Sequence, residues 1–94
     1  MSVKEQRQQL TALAQILNAR GWNSQLITPS GAPLLRVIDP QGIALTPEHI
    51  ICERGRDNAD RYRWRQSRDD IASADEPDTA AEEIIRALTP REQR

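Results

Sequence analysis

The sequence is poor in the residues that usually carry chemistry. In 94 residues there is no phenylalanine, one cysteine, one histidine and one methionine. A single cysteine excludes an internal disulfide, and a reducing cytoplasm is the expected compartment. One cysteine and one histidine fall short of the ligands a zinc site takes, so no metal and no cofactor is expected. The aromatic residues are Trp22, Trp64 and Tyr62 alone, which leaves the core to Leu, Ile, Val and Ala. A domain of this length buries only about two-thirds of the surface its unfolded chain exposes, so an enclosed ligand-sized cavity has little room. No apolar run approaches the roughly 20 residues of a membrane helix, and no membrane partner is expected. The polar start, Met1 to Gln9, does not read as a signal peptide. Neither charge sign dominates. Thirteen Lys and Arg against fourteen Asp and Glu leave a formal charge of −1, which excludes a globally basic nucleic-acid binder.

What is present is pattern. Leu10, Leu13, Ala14 and Leu17 recur at i, i+3, i+4 and i+7 and predict a helix over 3–20. Ser2 and Glu5 have capping-box spacing, and Gly21 supplies the left-handed stop. Strands are expected over 22–28, 33–38, 49–54 and 61–66. Pro29-Ser30-Gly31 and Asp39-Pro40-Gln41-Gly42 read as turns, 43–47 as ambiguous, and Gly55 to Asp60 as a polar loop. Residues 67–74 read as a connection anchored by Ile71. Ala81, Ile84, Ile85 and Leu88 repeat the helical stripe over 76–88, with Asp75 as cap and Pro77 in the first turn. Arg91 to Arg94 should fray. The expected fold is one α+β domain over 1–94, ordered α-β-β-β-β-α. Its four-stranded, mostly antiparallel sheet carries both helices on one face.

Tyr62-x-Trp64, Asp70-Ile71, Asp75, Ala80-Ala81, Ile84 and Ala87-Leu88, with Gly21-Trp22 and Pro33 to Val37, resemble small uncharacterised α/β proteins of high-GC Gram-positive bacteria. The resemblance spans most of the chain and rests on caps, core strands and a helix stripe; it implies no activity. In that family the tryptophan strand often runs into a glycine-containing turn, where this chain has Gln66-Ser67-Arg68. The element order is also similar to small chaperone-like domains that bind other proteins, a likeness of fold alone.

The segment most suggestive of function is Arg61-Tyr62-Arg63-Trp64-Arg65. Strand alternation sends the three arginines to one side and the rings to the other. Arg36 can join the same sheet face. Guanidiniums spaced about 7 Å apart suit carboxylates or phosphates. The competing reading is structural. Glu53 can sit opposite Arg63 as a cross-strand pair, and the acidic segment 69–83 can fold back to neutralise the row. His49 and Cys52 point to opposite faces and do not converge; Cys52 is expected to be buried opposite Trp64, and His49 to be a surface residue. Adjacent carboxylates point apart, and the four glycines each sit in a turn without forming a phosphate cradle. Leu34 and Ile38 lie on the side opposite Leu35 and Val37, so one pair is expected to stay exposed unless a partner covers it. These features point to a non-enzymatic protein-interaction or regulatory module using Arg36, Arg61, Arg63 and Arg65, with a protein partner or a second copy as occupant. The alternative is a nucleic-acid-binding module using the same arginine strand.

Overall fold

The computed structural model describes residues 3–29, 31–38, 48–55 and 58–89. The expected Ser2 cap, the 39–42 turn, the 43–47 segment and the fraying of 91–94 lie outside these. The chain runs α1 (Val3–Ala19), β1 (Asn23–Ile27), β2 (Leu34–Ile38), β3 (Glu48–Arg54), β4 (Asp60–Trp64), β5 (Asp70–Ser73) and α2 (Pro77–Leu88). The strands form one sheet in the order β1-β2-β3-β4-β5, every neighbour antiparallel.

The class is α+β, but the sheet has five strands and not four. The extra strand is Asp70–Ser73, inside the segment read as a connection. Its composition has little β-propensity of its own. It forms because β4 offers an open edge, against which Ser73 meets Arg61, Ala72 meets Tyr62 and Asp70 meets Arg63, with an irregularity between Tyr62 and Arg63. Small Ala72 fits beside the bulky Tyr62 in the core.

Both helices lie on one face of the sheet. The α1 stripe of Leu10, Leu13, Ala14 and Leu17 and the α2 residues Ala80, Ala81 and Ile84 form one cluster with Leu35, Val37, Ile50, Cys52, Tyr62 and Ala72. The end of α1 follows from Gly21. Its φ of 88° lets Gly21 N–H reach the Asn18 carbonyl and Trp22 N–H reach the Leu17 carbonyl, the two bonds of a Schellman stop. The buried Ser24 is fully partnered. Its hydroxyl lies 3.2 Å from the Ala14 carbonyl and 3.0 Å from Asn18 Oδ1, so a polar group enters the core without an orphaned atom.

Two local expectations shift. Cys52 stands across from Tyr62, and Trp64 across from Ile50; the hairpin closed by Gly55 and Ala59 sets this register. The cap of α2 is Glu76 rather than Asp75, without a side-chain hydrogen bond. Pro77 opens the helix, and the residue before a proline is pushed out of the helical region, which leaves Glu76 as the flanking position.

Candidate functional site

The uncovered face of the sheet is built by the register. Alternation turns Tyr62 and Trp64 toward the helices and Arg61 and Arg63 away from them. On β3 the residues facing away are His49, Ile51 and Glu53; on β2 they are Leu34, Arg36 and Ile38. Arg36 is directly opposite His49. The N–H of Arg65, the first residue past β4, donates to the His49 carbonyl at 2.9 Å. Arg36, His49 and Arg65 therefore form one row across neighbouring strands, about 5 Å apart per step.

All four arginines singled out in the sequence share this face, but they are not equivalent. Arg61 grips Asp70 with both ends of its fork, through Nε to Oδ1 and through Nη2 to Oδ2 at 2.6 Å. That hydrogen bonding holds the Asp70 carboxyl below its ordinary value. Arg63 Nε lies 3.5 Å from Glu53 Oε1, and Arg68 Nη1 lies 3.1 Å from Glu53 Oε2. Arg63 also donates through Nη1 to the Arg68 carbonyl at 3.3 Å. Arg36 and Arg65 make no ion pair among the described residues, and the buried Nε of Arg36 has no hydrogen-bond partner there. A buried donor left unmatched is uncommon in folded proteins.

Three details depart from the sequence reading. Glu53 is directly opposite Arg61, with Ile51 opposite Arg63, so its pair with Arg63 is diagonal. The acidic segment 69–83 does not neutralise the row as a block. Asp70 alone of its acids pairs with an arginine of this face, while Glu82 pairs with Arg20 and Glu83 with Arg86. Neither apolar pair of β2 stands exposed. Leu35 and Val37 are in the core, Leu34 is only 7% exposed, and Ile38 is half-buried.

Sequence reasoning left Arg68 out of the candidate site, and it set His49 aside as a plain surface residue. Arg68 occupies a left-handed backbone conformation, φ 64°, in the turn that follows β4. From there it brings a further guanidinium onto Glu53. A cleft of about 250 Å³ opens beside it, lined by Pro33, Leu34, Ile51, Glu53, Arg65 and Arg68 among others. A second, more open concavity of about 360 Å³ lies on the helix side, at Trp64, Ala87 and Leu88 with Glu48 and Asp69; none of the sheet arginines lines it.

Cys52 faces the core, away from His49. Burial first, and the charges of Asp60 and Glu53 second, push its thiol up to about 12, so it stays protonated and weakly nucleophilic. Among the described residues, no three His, Cys, Asp or Glu groups gather to hold a metal ion. No helix there is long and apolar enough to cross a membrane. In comparison with known proteins, the chain matches no family model, no curated protein and no solved structure.

Proposed function

We propose that the chain is a non-enzymatic protein-interaction module, a small regulatory adaptor that docks an acidic stretch of a partner protein on the uncovered sheet face. One observation carries this reading. Among the described residues, five guanidiniums stand on that face, those of Arg36, Arg61, Arg63, Arg65 and Arg68, and the ion pairs there draw on two carboxylates, Glu53 and Asp70. The chain as a whole is at −1, so its positive charge is concentrated where the helices leave the sheet open. Such separation steers an oppositely charged partner and orients it.

Two other occupants are less well matched. A second copy presenting the same face brings like charges together. A single strand of nucleic acid is held by bases stacking on rings interleaved with cations. Here Tyr62 and Trp64 turn to the opposite side.

The test is a binding isotherm with a fluorescent glutamate-rich peptide at low and high salt. Tight binding at low salt, lost on Arg36→Ala with Arg65→Ala and unchanged by a Lys4→Ala control, supports the reading. An oligonucleotide of equal charge that binds more tightly than the peptide would favour nucleic acid. If neither ligand binds at low salt, this face is not a docking surface for anions.

A further inference from the structure

We infer that the docked segment is extended and carries an apolar side chain and a carboxylate two residues apart, the apolar one seated in the cleft where β2 ends. This rests on the acidic-partner reading above and narrows it to a recognition unit.

The cleft arises from a broken ladder. The register that pairs Leu35 with Ile50 carries Leu34 to Ile51 and then Pro33 to Cys52. Proline has no N–H to give. The Cys52 carbonyl takes its hydrogen bond from the side chain of Gln6 instead, at 3.1 Å. Strand β2 stops there while β3 continues to Arg54. The resulting hollow is lined by Pro33, Leu34 and Ile51 together with Arg65, Arg68 and the carboxylate of Glu53, which is held by Arg63 and Arg68.

The apolar and the cationic sides of this lining demand different chemistry. Leu34 is already buried, so the apolar surface that a purely acidic ligand leaves against water is that of the half-buried Ile51. A purely apolar one leaves Arg65, which has no ion pair among the described residues, without a counter-charge. The row of Arg36 and His49 lies two residues along the strands from the row of Leu34 and Ile51, a separation of about 7 Å. An extended peptide repeats its side chains on one face at that same spacing. An apolar residue over Leu34 and Ile51 thus places the side chain two positions on beside Arg36 and His49, within reach of Arg65.

The experiment compares three short Gly/Ser-based peptides by calorimetry and by methyl and amide NMR of the wild-type protein. The first carries Leu and Glu two apart. The second has the same composition with Leu and Glu adjacent, so that they face opposite sides. The third replaces Leu by Ser. The expected result is about tenfold tighter binding of the first than of either other, as burial of one leucine side chain allows, with shifts at Leu34 and Ile51. Arg65→Ala, at an exposed residue, should remove most of the affinity for the first peptide. Equal binding of all three, with shifts confined to Arg36 and His49, overturns the apolar anchor and leaves acidic docking standing. Failure of all three, alongside a glutamate-rich peptide that also fails, overturns both.

Discussion

The Tyr62 hydroxyl donates a hydrogen bond to the Gln9 carbonyl at 2.7 Å, tying the middle of β4 to the middle of α1 across 53 positions of sequence. The tyrosine is fully buried, so the side of the sheet that it faces is the side the helices cover. Arg61 and Arg63, its neighbours on the strand, are committed to the other side by that one contact.

Removing only the hydroxyl tests how much the tether stabilises. In Tyr62→Phe the Gln9 carbonyl keeps its own helical donor, and the expected loss is about 1 kcal/mol. Tyr62→Ala also opens a cavity and should cost about 3–5 kcal/mol. Urea unfolding midpoints read both values. Equal losses for the two variants would show that the ring contributes nothing beyond the hydrogen bond.

Glu53 holds two arginines of the candidate docking face. Glu53→Gln should free both for an acidic ligand and raise its affinity several-fold. Stability should change by about 1 kcal/mol or less, as for other partly exposed ion pairs. Peptide titrations and thermal melts of the same variant separate the two effects. A fall in affinity would mean that Glu53 touches the ligand itself.

Arg68 tests whether backbone strain has been retained for a purpose. Its positive φ favours glycine and opposes β-branched residues. Arg68→Val should therefore be less stable than Arg68→Gly by about 1–2 kcal/mol. Arg68→Gly should match or exceed the parent in stability while binding the acidic peptide more weakly. If Arg68→Gly instead lowers both properties together, the guanidinium acts chiefly as a fold contact.

Alkaline pH should weaken the fold. Burial raises the Cys52 thiol from 9.0 to about 12 and raises the Tyr62 phenol above its ordinary 10.0, with Cys52 and Asp75 contributing. Above pH 9 the unfolded chain gives up protons that the folded chain retains, so ionisation favours unfolding. The stabilisation is complete below that pH and is lost as pH rises through the folded value. Urea midpoints should hold level up to about pH 9 and fall between there and about pH 11, and iodoacetamide should label Cys52 only as the chain unfolds. Rapid labelling of the native protein would contradict the burial of the thiol.

Much of the fold was legible because it follows from local periodicity. The Leu10-Leu13-Leu17 stripe names the buried side of α1 without any knowledge of what covers it. Arg61 to Trp64 announces a strand with two unlike faces. Strand β5 was not legible, since Asp70-Ile71-Ala72-Ser73 has no strong pattern and becomes a strand only beside β4. The cleft at Pro33 was hidden for a related reason. A proline ends a ladder, but where it ends depends on the partner strand.

The one-dimensional pattern by itself therefore determined the class of fold, the two helix stripes and the placing of Arg36, Arg61, Arg63 and Arg65 on a common face. Only the tertiary structure decided which of those cations keep a counter-charge. Side-chain alternation has a period of two, so any even register shift leaves every residue on its own face while changing every cross-strand neighbour. The register that seats Asp70 on Arg61, and Glu53 between Arg63 and Arg68, is what leaves Arg36 and Arg65 beside His49 without an ion pair among the described residues.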